Sequence, residues 1–257
     1  MGGPKLSVLI ASLVERQTSL TALLDELHAQ QAKLANPQDV EILVIQDARQ
    51  RTIGDKRNEL LARATGEYLC FIDDDDFVAP NYLEKILEAL STNPDAVGFT
   101  VIITTNWDRP EFRQLTPLHR RKDAVLPNKN IVCGLTHLCP IKVTIAKSVK
   151  FPLINYAEDQ GWYSEIRPLL KTQACIDEAL YHYNFVLGKP GREQYEPRPA
   201  PARHPPLEID RFGFIAANRH RTYRPEPRVG AQLSKPVAVK VPNPKNTHLA
   251  ALLVANR

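Results

Sequence analysis

Apolar residues gather in short blocks over the first hundred positions, and the spacing within the blocks switches between two kinds. Lys5 to Leu13 (KLSVLIASL) is an almost continuous apolar run rich in strand formers and preceded by Pro4, which predicts a buried strand. Leu20, Leu23, Leu24 and Leu27 then recur at three- and four-residue intervals, the stripe of an amphipathic helix, with Thr18 and Ser19 as candidate N-caps. Val40 to Ile45 (VEILVI) predicts a second strand, Ile53 to Thr65 a helix closed by Gly66 at its C-cap, and Glu67 to Ile72 (EYLCFI) a third strand. Pro80 is placed to open a helix carrying Leu83, Ile86, Leu87 and Leu90, and Ala96 to Ile103 (AVGFTVII) predicts a fourth strand. Four alternations of strand and helix imply an α/β fold, with a mostly parallel sheet and helices on both its faces.

The pattern then loosens. Asn106 to Asn130 is polar and contains prolines, so it reads as loop. A helix is expected near Glu158, carrying Trp162, Ile166 and Leu169 and distorted by Pro168, and Ala179 to Val186 reads as a late strand. Beyond Gly188 the prolines become dense, at 190, 197, 199, 201, 205, 206, 225 and 227, and oppose regular structure except for a short helix expected near His248 to Ala255. The expected organisation is a folded domain over residues 1–187 and an extended, Pro-rich arm over 188–257.

Charge sharpens that division. The arm holds 13 Lys/Arg against 5 Asp/Glu, a net +8, whereas residues 1–187 hold 20 against 24, a net −4. A basic arm on an acidic body either meets an anionic partner or lies over its own domain. Hydrophobic residues make up 43% of the chain, enough for a sizeable core. No apolar run approaches the roughly 20 residues that span a bilayer. Residues Met1 to Lys5 lack the layout of a secretory signal, so a cytoplasmic location is expected. Cys70, Cys133, Cys139 and Cys175 form no Cys-x-x-Cys pair and read as buried free thiols rather than a zinc site or disulfide framework.

The chemistry concentrates where the third strand ends. Asp73, Asp74, Asp75 and Asp76 follow it directly. Ligands of open α/β sheets bind at the carboxyl ends of strands. Adjacent carboxylates there repel one another, and a divalent cation relieves the repulsion; an all-oxygen donor set suits Mg2+ or Mn2+. In extended chain, residues two apart share a side, so Asp73 and Asp75 can address one site. The competing reading is a solvated acidic turn ahead of the helix at Pro80.

The stretch IGDKRNELLARATGEYLCFIDDDDFVAPNYLEKI resembles the central signature of family 2 glycosyltransferases with the inverting GT-A fold: an Arg-Asn helix, then Gly-Glu-Tyr, a hydrophobic strand and an Asp-x-Asp-Asp turn. The likeness spans about residues 5 to 186 and is carried by Lys56 to Tyr82. It implies a GT-A-type, Rossmann-like domain with a nucleotide-diphosphate sugar donor, UDP-linked, and a Mn2+ or Mg2+ ion. Carried over by position, Ala11, Ser12 and Leu13 border the nucleotide base, although the family's usual Pro and Tyr are replaced here by Ala11-Ser12-Leu13-Val14-Glu15. Asp47 matches the acidic residue that accepts from the base, and Lys56, Arg57 and Asn58 the segment near nucleotide and sugar. Asp73, with Asp74, lies nearer the ribose or sugar, Asp75 is the direct metal ligand and Asp76 assists it. His182, in Tyr181-His182-Tyr183, falls where some members add a metal-binding histidine.

Glu158-Asp159, in YAEDQGW, matches the family's Glu-Asp pair, which makes Asp159 the general base for the acceptor hydroxyl and Glu158 its neighbour on the acceptor side. Trp162 and His137 are candidates to line the acceptor pocket. The implied reaction is transfer of a sugar with inversion to a glycan or glycoconjugate. The basic arm supports a second acceptor class, hydroxyl-bearing modified DNA bases, as for phage-type enzymes. A non-catalytic nucleotide-sugar or nucleic-acid binding module and a nucleotidyltransferase are the rival classes; the aspartates at 73, 75 and 159 argue against the first, and pyrophosphate release would mark the second.

Overall fold

Leu6, Val8, Leu9 and Ile10 are fully shielded from solvent, which places the first strand at the middle of the sheet's N-terminal half. The computed structural model describes residues 3–105, 107–119, 124–125 and 131–185. Strand β1 (Leu6–Leu13) leads through a 3-10 turn into α1 (Gln17–Gln31), followed by β2 (Val40–Asp47), α2 (Ile53–Arg63), β3 (Tyr68–Phe71), the short β4 (Phe77–Val78) and α3 (Tyr82–Leu90). Next come β5 (Ala96–Thr105), β6 (Asp108–Leu115), β7 (Ala124–Val125), β8 (Ile131–Cys133), β9 (Ile141–Lys142), α4 (Val143–Ala146), α5 (Glu158–Ile166) and β10 (Gln173–Phe185).

The strands form one mixed sheet in the order β2-β1-β3-β9-β5-β6-β8-β7, with β10 paired to both β5 and β4. The β2-β1-β3 half is parallel, as the strand–helix alternation requires. The fourth expected strand, β5, does not join β3 directly: the two-residue β9 lies between them, antiparallel to both. Helices α1 and α3 pack together near β1, β4 and β10, while α2 lies on β1 and β2 and touches α5, and α4 lies on β3 and β9. No helix of the described residues is long and apolar enough to cross a membrane.

The expected loop over 106–130 is corrected by β6, which runs antiparallel to β5 with Thr100 opposite Gln114 and Ile102 opposite Phe112. The polar sequence misleads because the strand is only half-buried. Its Pro110, which has no N–H, sits beside a register shift between Ile103 and Thr105, where a proline is tolerated. Thr18 and Ser19 do not cap α1, because the chain turns helical at Val14 and brings them inside the first turn. Gly66 is likewise not the C-cap of α2; that is Ala64. Gly66 permits a close approach instead: a Cβ there would lie 2.8 Å from Ser7 N, while its own N–H donates to Ser7 Oγ at 2.9 Å. Strand β10 begins six residues ahead of the expected Ala179 and absorbs register shifts around it. Cys70, Cys133 and Cys139 are buried free thiols, but Cys175 is exposed at the start of β10, where the strand is still half open. The basic arm, the 187/188 boundary and the helix expected near His248 lie outside the described residues.

Candidate active site

The four aspartates divide by parity. Strand β3 continues its pairing to Leu9 through Ile72 N–H, and the chain then turns, with Asp76 N–H donating to Asp73 O at 3.1 Å. Asp74 and Asp76 are buried, whereas Asp73 and Asp75 keep side-chain exposures of 34% and 13%. Asp74 faces inward and accepts from Ser12 Oγ and Arg16 Nη1, both at 2.7 Å. Burial raises its pKa despite the attraction of Arg16. Tyr181 of β10 pins the turn from the other side: its hydroxyl donates to Asp76 Oδ2 at 2.8 Å and accepts from Asp73 N–H at 3.1 Å. Two aspartates thus build the turn and the alternate two are presented by it, as extended geometry requires. Arg16 Nη1 stands 3.6 Å from Asp75. Neither Arg16 nor Tyr181 was singled out by the sequence pattern, because their partners are 58 and 105 residues away.

The second acidic pair lies across from this turn. Ala157 takes a left-handed φ of 60°, and Glu158 and Asp159 form the first turn of α5, where the helix dipole favours negative charge. Two side chains, Arg57 and His137, connect the pair to Asp73. Buried Arg57 places Nη2 2.9 Å from Asp73 and Nη1 2.9 Å from Glu158, with its guanidinium 5.3 Å from the Phe71 ring and 5.6 Å from that of Phe151. His137 places Nε2 3.4 Å from Asp73 Oδ2 and Nδ1 3.2 Å from Asp159 Oδ2. Burial alone would raise the Asp73 and Asp159 carboxyls, but the charges of His137 and Arg57 outweigh it and hold both below the ordinary range. Burial and Arg57 push the imidazole down, and the two aspartates outweigh them, for a net rise. Glu158 is raised by burial in spite of Arg57.

Several expected donor contacts serve the scaffold. Ala11 packs partly buried against the core, and Leu13 ends β1 half-buried opposite Asp47. Ser12 is buried with its hydroxyl given to Asp74. Lys56, also buried, donates to Ser12 O at 2.8 Å and Asp47 Oδ1 at 2.7 Å, and Asp47 Oδ2 accepts from Arg51 N–H. Asn58 clamps Phe151, its amide donating to Phe151 O at 2.9 Å and its carbonyl accepting Phe151 N–H at 2.8 Å. The side chains of Ser12, Lys56 and Asn58, expected near the base, nucleotide and sugar, each bond a neighbour that shapes the site.

Trp162 is not an acceptor wall. It is wholly buried, stacks on Phe151 with ring centroids 4.6 Å apart, and donates its indole N–H to Val149 O. His137, only 9% exposed, is enclosed between Asp73 and Asp159. His182 is buried beside Phe77 and Trp107, with Nε2 2.8 Å from Thr104 Oγ1. Among the described residues no group of three or more His, Cys, Asp or Glu side chains is arranged to hold a metal ion, so Asp73, Asp75 and His182 do not form a ready-made triad.

The fold has solved counterparts. The 1–349 fragment of S. aureus TarS in complex with UDP superposes with a TM-score of 0.55 at 17% identity, over 70% of this chain and 60% of that one. The same fragment in complex with UDP-GlcNAc gives 0.52 at 16% identity, over 84% and 66%. EpsH of Bacillus subtilis (strain 168), named as a glycosyltransferase, is 25% identical over 145 residues, which cover 52% of this chain and 42% of that protein. This chain thus matches less than half the length of that relative. The family model for glycosyl transferase family 2 matches residues 7–149, which include all of β1 but its first residue, the Asp73–Asp76 turn and His137. With a mixed α/β sheet of GT-A type and the family's model matched over more than half its length, the chain belongs to glycosyl transferase family 2.

Proposed function

We propose that this protein transfers a sugar from a UDP-linked donor to an acceptor hydroxyl with inversion, using Asp159 as general base. One observation carries the reading: Asp73, just past the carboxyl end of β3, and Asp159, at the start of α5, lie on either side of a single imidazole. A donor carboxylate and a proton acceptor held this near fit one transfer centre. The UDP and UDP-GlcNAc complexes of TarS support the choice of nucleotide.

The donor set suits a divalent cation. Mg2+ and similar ions are commonly bound through one or two carboxylates together with substrate phosphate oxygens, so a preformed protein triad is not required. Asp75 and Asp73 are the residues that would hold it, with Asp76 in support, and His182 is not needed. When bound, the ion neutralises the negative charge that grows on the departing diphosphate. The chain's own residues do the rest. Arg57 fixes Asp73 and Glu158 at one separation. Asp159, its carboxyl held low, is ionised at neutral pH and takes the proton of the attacking hydroxyl. Attack from the α5 side, opposite the leaving group, inverts the anomeric centre. A glycan or glycoconjugate is the acceptor this reading favours. Hydroxyl-bearing DNA bases are the second reading, because residues 188–257 carry a net +8.

UDP release from a panel of UDP-sugars with manganese tests the assignment. Asp159→Asn is expected to slow release by about 10²–10⁴-fold while UDP affinity, read by calorimetry, is unchanged. Turnover at the wild-type rate in that variant would remove Asp159 from its role.

A further inference from the structure

His137 lies in the segment between β8 and β9, and its backbone carbonyl accepts the N–H of Phe71, the last residue of β3, at 3.1 Å. A turn closes around it, with Cys139 N–H donating to Thr136 O at 3.2 Å and Leu138 N–H to Thr136 Oγ1 at 3.3 Å. The ring is thereby fixed relative to the strand that delivers Asp73. Its two nitrogens stand near different carboxylates: Nε2 is 3.4 Å from Asp73 Oδ2, within hydrogen-bonding reach, and buried Nδ1 lies 3.2 Å from Asp159 Oδ2, at ion-pair distance and short of hydrogen-bond alignment. Asp159 Oδ1 accepts from Gln160 N–H at 2.9 Å, which leaves Oδ2 facing the imidazole at 3.2 Å.

We infer that His137 is the positioning residue for Asp159 and ties the general base to the donor-side carboxylate. This rests on the reading of Asp159 as base. The contact aims the carboxylate, and the share of the same ring held by Asp73 gives donor and acceptor sides a common reference point. A one-ångström error in such aim is costly, on the order of a hundredfold in rate. With only 9% of its surface exposed, His137 is placed to act through the two carboxylates rather than on a substrate.

The two nitrogens can be replaced separately. The amide nitrogen of an asparagine falls near Nδ1 and that of a glutamine near Nε2, so His137→Asn keeps a donor toward Asp159 and His137→Gln keeps one toward Asp73. UDP release from a UDP-sugar with manganese, and UDP affinity by calorimetry, are compared in the full chain for wild type, His137→Ala, His137→Asn, His137→Gln and Asp159→Asn, each confirmed folded by circular dichroism. The expected result is a loss of about ten- to a hundredfold in turnover for His137→Ala and His137→Gln, with most of it recovered in His137→Asn and with UDP affinity little changed throughout. A merely structural role predicts equal losses in all three substitutions, and that outcome overturns the inference. Wild-type turnover in His137→Ala with Asp159→Asn inactive also overturns it, leaving the base assignment intact. Wild-type turnover in Asp159→Asn overturns the base assignment instead. Should His137→Ala not fold, the Asn and Gln variants decide between the outcomes alone.

Discussion

One carboxylate shows how densely single residues are used. Glu41 on β2 accepts from Ser7 Oγ, Thr65 N–H, Thr65 Oγ1 and Gly66 N–H, and so joins β2, β1 and the approach to β3. Its desolvation would raise the pKa, but these hydrogen bonds outweigh it and lower it from 4.5. A carboxyl whose folded pKa is depressed contributes stability that is present above its unfolded pKa and disappears as pH falls through the folded one. The stability difference between wild type and Glu41→Gln, measured by urea unfolding, is therefore expected to shrink between about pH 5 and pH 3. A difference independent of pH would show that the ionised carboxylate is not what matters. The sequence marked the Asp73–Asp76 cluster because carboxylates after a buried strand have few purposes. It did not mark Glu41, Arg16 or Tyr181, whose work depends on partners 24 to 108 residues distant. Lys56 and Asn58 were legible as important in the family signature, but a sequence does not say whether a polar side chain touches the ligand or braces the backbone beside it.

At the scale of elements, α2 and the segment ahead of α5 behave as one unit. Ile53 N–H donates to Asn155 Oδ1 at 3.1 Å and Gly54 N–H to Ile154 O at 3.1 Å, so the segment satisfies part of the N-terminus of α2. Asn58 then holds Phe151 from the next turn. The contact needs glycine: a Cβ on Gly54 would sit 1.8 Å from Pro152 O. Gly54→Ala is expected to push this segment, and Glu158 and Asp159 with it, away from Asp73. Turnover should fall at least about tenfold while UDP affinity is kept, as read by UDP release and calorimetry; equal turnover would mean that the segment's seat on α2 does not set the base. Elements with a strong period, such as β1, α1 and β5, were plain in the sequence. The two-residue β9 and β4, and the polar β6, were not, because their pairing is imposed by neighbours rather than by their own pattern.

The whole molecule brings four distant stretches to one place: the end of β1 with Arg16, α2, the turn after β3, and the start of α5, joined by His137. All four strands expected in the first hundred residues stand where their patterns place them, and both acidic pairs are marked in the sequence. What the pattern did not give was the meeting itself, since Asp73 and Asp159 are linked only by side chains from elsewhere in the chain. The role proposed for Asp73 and Asp75 is to hold a cation against the diphosphate of a sugar donor. Anomalous scattering from crystals soaked with manganese and UDP measures this directly. A manganese peak is expected within coordination distance of an Asp75 or Asp73 carboxylate oxygen and of the UDP phosphates, about 2 to 2.2 Å away. Manganese and UDP bound elsewhere, with Asp73 and Asp75 still on Arg57 and Arg16, would contradict it.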